Sequence, residues 1–324
     1  MFEPRRLFPA IFLVSGIFLV SIGVTGAQDD QLTFAMVSHG GPDFPFWRPV
    51  IQGMEDACTL LEAECHWLSD PAFGGFEVMT GYWEDALALN PDGIGTTAAD
   101  PGVIRTGVER AAELGIPVII FNADDPNAGT DEALPTLFYV GVDEFGAGAS
   151  NARRVFAEAD ADGVTIQRGV CANGVTGFSP FDARCAGVES VFEEEGVPLD
   201  HLALNNDNSQ TVEMLTNYFA DHPDTNAIFF PGQSSAQDLP RYMRQVGLEP
   251  RQLYAATHDI TSEVLPMIRD GYILQTVGQQ PYMQGFQTIM SLYLASQFGL
   301  RPSGNIYTNT IVDQSNVDQV VSEF

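Results

Sequence analysis

Residues 32–61 read LTFAMVSHGGPDFPFWRPVIQGMEDACTLL and predict one complete strand–turn–helix unit. The first seven residues, LTFAMVS, form an apolar run that predicts a buried strand. Glycine and proline are concentrated in the segment 39–45, which predicts a turn. The following positions repeat at helical spacing and predict a helix whose apolar face is formed by Trp47, Val50, Met54, Ala57 and Leu61.

The same alternation of short apolar runs and helical patterns continues along nearly the whole chain. Further runs predict strands at 93–97, 116–122, 164–171, 227–230 and 253–257. Apolar strands separated by helices favour parallel sheets that are covered on both faces. About ten strands exceed one comfortable open sheet, and 324 residues suit two domains, so an α/β chain with two doubly wound sheets is predicted.

The charge of the chain excludes several classes of function. There are 43 acidic residues against 14 basic ones, all of them arginine, for a net charge of −29. Nucleic-acid binding requires a cationic surface, and Schiff-base or P-loop chemistry requires a lysine, so these classes are excluded. We interpret the acidic excess as halophilic adaptation to a saline habitat, with compositional drift as the alternative.

The beginning of the chain has the form of a secretory signal peptide. Arg5 and Arg6 precede an apolar run at 7–24, and small residues lead to Ala27. We expect cleavage after Ala27 and a periplasmic location, with an uncleaved membrane anchor as the alternative. Export permits disulfides, and four cysteines form two close pairs in the sequence, Cys58 with Cys65 and Cys171 with Cys185.

The second pair is the stronger disulfide prediction, because a flexible segment separates Cys171 from Cys185. For Cys58, a small buried hydrophobic side chain is an equally good interpretation. The five histidines are scattered and CxxC spacing is absent from the sequence, so neither a metal site nor a cofactor is expected.

Candidate binding residues stand where predicted strands end, because parallel sheets bind ligands beyond the carboxyl ends of their strands. The first such loop carries Asp43, Phe46 and Trp47, whose rings suit the apolar faces of sugars, although Trp47 also fits a core position. Polar candidates after later strands are Asn122, Asp124, Asp125, Asp259 and Gln279. Asp125 fits a capping turn equally well. Arg184 lies on a predicted helix, where an exposed arginine is the alternative interpretation.

In this order and spacing, several short motifs resemble the type I periplasmic substrate-binding proteins of ABC sugar importers, the ribose/galactose-binding group. The resemblance covers the chain from residue 32 onward and extends, at 171–185, to an uncharacterised sugar-binding subgroup with such a cysteine pair. The motifs are Pro45-Phe46-Trp47 with Gly53, 115–119 (GIPVI), 140–143 (VGVD), 184–187 (RCAG), His222-Pro223-Asp224, His258-Asp259 and 276–279 (TVGQ).

The resemblance implies two lobes joined by a three-strand hinge, with one ligand held between them. It implies an N-terminal lobe of residues 28–143 plus 279–304 and a C-terminal lobe of 144–278 plus 305–324. It assigns ligand contacts to Phe46, Trp47, Arg184, Asp259 and Gln279. Asn122 and Gln233 stand where the ribose pattern has other polar residues and are also candidate ligand contacts, while Phe44 replaces a polar residue. A less polar ligand such as a polyol, a deoxy sugar or a furanose-like signal molecule therefore fits as well.

The expected function is therefore capture of a small neutral sugar or polyol for an ABC permease, by a protein that we expect to be monomeric. A periplasmic sensor that presents its closed form to a membrane receptor is the alternative, since both use the same closure. An enzyme is disfavoured, because the segment 232–236 (GQSSA) lacks the closing glycine of a serine-hydrolase motif. The segment 146–151 (GAGASN) likewise fails the dinucleotide pattern.

Overall fold

The structure is a computed structural model that describes residues 31–72, 75–204 and 210–323. The signal peptide predicted for residues 1–27, with its cleavage site, lies outside the described residues. Among the helices of the described part, none has the length and apolar character that crossing a membrane requires.

The first sheet is entirely parallel and has the strand order β11-β5-β4-β3-β1-β2. Its strands are β1 (Thr33–Val37), β2 (Glu64–Leu68), β3 (Gly93–Thr96), β4 (Val118–Phe121), β5 (Tyr139–Gly141) and β11 (Ile306–Tyr307). Helices α1 (Trp47–Leu61) and α10 (Pro281–Phe298) cover one face, and α2 (Met79–Ala88) and α3 (Pro101–Glu113) cover the other. We call this sheet with its four helices the first lobe.

The second sheet has the order β12-β10-β9-β8-β6-β7 and is parallel except for the pair β10–β12. Its strands are β6 (Gly169–Asn173), β7 (Leu199–Ala203), β8 (Ala227–Phe229), β9 (Tyr254–His258), β10 (Gln275–Gly278) and β12 (Thr310–Asp313). One face is covered by α4 (Glu144–Ala161) and α5 (Ser179–Glu195). The other is covered mainly by α6 (Thr211–Asp221), α8 (Leu239–Val246) and α9 (Val264–Arg269), while α7 (Gln233–Ala236) follows β8. This sheet with its helices is the second lobe.

The chain passes between the lobes three times. It crosses after β5 into α4, after β10 into α10, and from β11 to β12. The predicted α/β class with two parallel-dominated sheets is confirmed. The lobe boundaries stay a prediction, and the pairing of Ile306–Tyr307 with β5 favours moving the last one from 304 to 307.

Several elements differ from the sequence prediction, and two of them show why. The strand predicted at 164–171 is wrong at its start, because β6 begins at Gly169 and the segment before it is irregular. Strand β2 was missed, since ECHWL mixes polar and apolar residues and lies half-buried at the edge of its sheet. A polar edge strand has no continuous apolar run by which to predict it.

Paired glycines bring the helices of each lobe into contact. On α4 and α5, a Cβ at Gly148 would overlap the carbonyl oxygen of Arg184, and one at Gly187 would overlap that of Phe145. On α1 and α10, Gly53 and Gly285 make the equivalent approach. Each position needs glycine because backbone lies where a side chain would begin.

Both disulfides are formed, each within one lobe. Cys171–Cys185 joins β6 to α5, which confirms the stronger prediction. Cys58–Cys65 joins α1 to β2, so Cys58 is a bonded cysteine as well as a buried one.

Candidate functional site

Three of the predicted polar residues lie in one hydrogen-bonded chain where the lobes meet. Asn122 follows β4, Asp259 follows β9, and Gln279 follows β10 at the second crossing. The Asn122 amide donates to Oε1 of Gln279 at 3.4 Å, and the Gln279 amide donates to Oδ1 of Asp259 at 2.6 Å. All three are 7–8% exposed, so both lobes contribute to a buried polar connection.

The backbone at these strand ends is in an unusual conformation. The φ angles of Asn122, Asp259 and Gln280 are 63°, 73° and 48°, in the left-handed region that non-glycine residues rarely occupy. Such conformations cost about 1–3 kcal/mol each and are concentrated at functional sites. Their clustering at the same lobe junction independently marks it as a candidate binding site.

A buried ion pair completes the group on the second lobe. Arg184 on α5 is 2% exposed and donates from Nη2 to Glu144 on α4 at 3.0 Å, with its Nε on the other carboxylate oxygen. Its Nη1 donates to the carbonyl of Pro231 at 2.6 Å. Burial raises the pKa of Glu144 to about 7, opposed by Arg184. We call Asn122, Glu144, Arg184, Asp259 and Gln279 the polar seam.

Glu144 was missed by the sequence analysis, although the chain signals it. It is the first residue of α4 and comes directly after the first crossing, where the strand-end rule applies. The buried hydroxyl of Tyr139 fixes the same crossing, because it donates to the Asn122 carbonyl at 2.7 Å and accepts from the Val142 amide at 3.0 Å. Burial raises the pKa of Tyr139 well above its usual value.

The predicted aromatic pair lies in the core of the first lobe. Phe46 and Trp47 are 5% and 4% exposed and pack against Val50, Ile119 and their neighbours. The edge-on contact of Trp47 with the His39 ring, at 4.9 Å between centroids, brings the pair next to the junction. Trp47 is therefore a core residue, as the alternative interpretation has it. That it also contacts a ligand directly stays a prediction.

Three other rings connect the lobes, and we call them the aromatic bridge: His39, Phe76 and Phe178. Phe178 precedes α5 in the second lobe, and its ring lies 5.8 Å from His39 and 6.5 Å from Phe76, nearly parallel to the latter. Burial lowers the pKa of His39 to about 4, so the ring is neutral at pH 7. His39 lies two residues after the end of β1 and was open to prediction, whereas Phe76 and Phe178 carry no local signal.

Two predicted residues lie apart from the polar seam. Asp43 is exposed on the turn before α1. Gln233 is half-buried at the start of α7, where its amide oxygen accepts a hydrogen bond from Gln237. Among the hydrogen bonds of the described residues, none joins either side chain to the polar seam, so their ligand contact also stays a prediction.

A cavity of about 230 Å³ adjoins the polar seam. Its walls come from both lobes and the first crossing, and they include Asp124, Asp143, Glu144, Ser179 and Tyr307. Burial raises the pKa of Asp124 to about 6. The Ser179 hydroxyl is buried without a hydrogen-bond partner among the described residues, and Ser179 lines the cavity from the second lobe.

The described residues hold no cluster of three or more histidine, cysteine or acidic side chains arranged for a metal ion. The groups present at the junction are amides, carboxylates, one neutralised guanidinium and aromatic rings. These groups bind hydroxyls and apolar ring faces.

Comparison with known proteins gives a family-level match. A family model described as the periplasmic binding protein domain matches residues 34–299. The xylose/arabinose-binding protein XylF of Sulfolobus acidocaldarius is 27% identical over 258 residues, which are 77% of this chain and 63% of that relative. The chain thus matches less than two thirds of the length of this curated relative.

Solved structures agree on the fold. A carbohydrate transporter from Acidothermus cellulolyticus 11B in complex with myo-inositol has a TM-score of 0.73 and 25% identity, with 89% of this chain and 96% of that chain covered. The glucose-galactose binding protein GanP of Geobacillus stearothermophilus has a TM-score of 0.76 at 19% identity, with 89% and 99% covered. The latter supports the fold alone.

Proposed function

Because this chain belongs to the periplasmic binding protein domain family, we propose that it is the extracytoplasmic binding component of an ABC importer for a small neutral sugar or polyol. The observation that carries the proposal is the polar seam, where Asn122, Gln279 and Asp259 form one chain across the lobe junction. The relatives point to the same ligand class, since one is named for xylose and arabinose and another was solved with myo-inositol.

The charges at the junction favour an uncharged ligand. Glu144 already neutralises Arg184 through two hydrogen bonds. Asp259 and Asp124 add further carboxylates close by, and both pairs of oxygens accept hydroxyl hydrogens. An anionic ligand would meet repulsion without a free cation to offset it among the described polar-seam residues.

The proposed roles follow from where each side chain lies. Asn122, Asp259 and Gln279 would exchange part of their mutual hydrogen bonds for ligand hydroxyls. Arg184 would hold the second-lobe wall and offer its remaining N–H groups. Phe46 and Trp47 would support the apolar wall through His39, while Asp43 and Gln233 would lie at its rim.

Closure of the lobes would be the working step. Contacts to both lobes are available to a ligand only when the lobes approach, so binding shifts the population toward the closed form by the difference in affinity. The three crossings supply the hinge. The aromatic bridge already joins the lobes in this structure and would stabilise that form.

The remaining features of the proposal concern the setting. The family implies an extracytoplasmic location, and we propose export by a leader that is cleaved after Ala27. We further propose that the protein acts as a monomer, delivers its ligand to an ABC permease in the inner membrane and catalyses no reaction.

Calorimetric titration tests the ligand class. We expect binding within a panel of D-xylose, D-arabinose, L-arabinose, D-ribose and myo-inositol, and much weaker binding of D-xylonate, the acid that corresponds to xylose. If every neutral compound fails, or if the acid binds more tightly than the sugar, the proposal is wrong.

A matched pair of variants tests the site. Gln279→Ala should weaken binding of the best panel member by about 1–2 kcal/mol, because it removes a buried amide that links both lobes. Gln297→Ala, an exposed glutamine on α10, is the control and should leave affinity unchanged. Equal affinities for the two variants would remove the polar seam from the binding site.

A further inference from the structure

The segment that follows the last helical turn returns to the second crossing. After the 3₁₀ turn Val317–Gln319, residues 320–323, which we call the strap, run beside the end of β9. The Glu323 amide donates to the carbonyl of Ile260 at 2.8 Å, and the Ser322 hydroxyl donates to the same oxygen at 3.3 Å. The strap is therefore attached to the second lobe.

The Glu323 carboxylate binds the backbone of the crossing itself. Its Oε2 accepts from the Gln279 amide at 3.1 Å, and its Oε1 accepts from the Gln280 amide at 2.9 Å. Gln280 precedes α10 and has the left-handed φ of 48°, with no side-chain cap of its own. A Cβ at Gly278 would overlap the Ile260 side chain and lie 2.7 Å from Oε1, so glycine at that position makes room for both Ile260 and the carboxylate.

These bonds complete the fixation of Gln279. Its carbonyl accepts from Thr308 at 2.7 Å and from the Gln284 amide at 3.1 Å. Its side chain is held by Asn122 and Asp259. The backbone N–H of Gln279 is the remaining polar group, and it donates to the Glu323 carboxylate.

We propose that Glu323 is a positioning residue for ligand binding, which holds the second crossing so that the Gln279 side chain stays in register with both lobes. This inference rests on the proposed function, because it assigns a role in the same site. Glu323 itself does not touch the ligand and acts through the backbone of Gln279 and Gln280.

The surroundings of Glu323 make this role dependent on pH. Burial raises its pKa to about 7, with Asp259 at the end of β9 as the charged neighbour that raises it further. Asp259 in turn interacts electrostatically with Arg184 of α5 and Glu144 of α4. The ionised carboxylate accepts both amide hydrogens, whereas the protonated acid loses one acceptor oxygen.

The first test needs no ligand. In ¹⁵N-labelled protein, the Gln279 and Gln280 amide signals should shift with pH around a midpoint near 7. Glu323→Gln should reduce this titration at both amides and speed their hydrogen exchange. Glu263→Gln, which removes an exposed carboxylate before α9, is the control and should preserve the titration. Amide signals that titrate identically in wild type and Glu323→Gln would overturn the proposal.

The second test uses D-xylose as the probe, in calorimetry at pH 8.0 and pH 5.5. Between pH 8.0 and pH 5.5, the affinity of wild type should fall about fivefold more than the affinity of Glu323→Gln. This factor is the equivalent of one hydrogen bond. Glu144 and Asp124 titrate in both proteins, so the difference between them isolates Glu323. Identical pH profiles would overturn the positioning role. If wild type binds no neutral sugar, the proposed function is wrong. The amide titration then decides by itself whether Glu323 holds the second crossing.

Discussion

Each lobe fastens its principal helices with one pair of glycines and one disulfide, yet the two lobes bring different chemistry to their junction. Gly53 and Gly285 serve α1 and α10, and Gly148 and Gly187 serve α4 and α5. The first lobe presents mainly rings and an amide, whereas the second presents the buried pair of Arg184 and Glu144.

This difference explains how the proposed closed form can be favoured and still reopen. The charges of Arg184 and Glu144 neutralise each other. Burying them carries a large desolvation penalty, which the hydrogen bonds of the pair must offset. The aromatic bridge contributes small ring contacts that tolerate changes in geometry and can break when the lobes move apart. We therefore expect variants in the second lobe to affect folding first, and variants in the aromatic bridge to affect closure first.

The largest effect should come from removing one partner of the ion pair between Arg184 and Glu144. Arg184→Ala leaves Glu144 buried without its partner and should lower the free energy of unfolding by about 3–5 kcal/mol. Urea unfolding measures this. The control is Arg153→Ala, whose partner Glu194 is exposed, and it should cost less than about 1 kcal/mol. A small loss in both would show that the pair is not a structural support.

The two disulfides should differ in how much each contributes to stability and to sugar binding. Replacing Cys171 and Cys185 by alanine opens the longer loop, with 14 residues of separation against 7 for the other pair, and should cost about 3 kcal/mol. The double replacement of Cys58 and Cys65 should cost less. Only the first should also weaken sugar binding, since Cys185 adjoins Arg184 on α5. Thermal unfolding and calorimetry measure the two effects, and the reverse order of losses would contradict this account.

Removing the ring that the second lobe gives to the aromatic bridge should act on closure. Phe178→Ala should weaken binding by about 1 kcal/mol, because the contacts with His39 and Phe76 exist only when the lobes are close. Unfolding stability should change little. Phe298→Ala, an exposed ring at the end of α10, is the control. A stability loss without an affinity loss would show that Phe178 serves packing alone.

The smallest effect concerns pH. The folded-state pKa of Asp124 is raised by burial to about 6, above its value in the unfolded chain. The stability that it contributes is therefore present at low pH and is lost as the pH rises through 6. Asp124→Asn should flatten this decline in the free energy of unfolding between pH 4 and 7. An unchanged slope in denaturant titrations would contradict the burial of this carboxylate.

Much of the fold was predictable because parallel strands are buried on both faces and leave continuous apolar runs such as VIIF of β4. The edge strand β2 and the two-residue β11 carry no such run, so neither was predicted. Both depend on a neighbouring strand for their conformation.

The candidate site was predictable where it follows a strand end. Asn122, Asp259 and Gln279 were found this way, and the structure brings them together. Phe178 and Glu323 were not found, because their contacts join segments far apart in the chain and depend on how the lobes meet. Local patterns carry no information on such contacts.

Small-angle X-ray scattering, with and without a saturating sugar that calorimetry has verified, tests lobe closure most directly. Lobe closure predicts a smaller radius of gyration and a more compact envelope when the sugar is bound. An identical scattering curve in both states would contradict capture by closure around the polar seam.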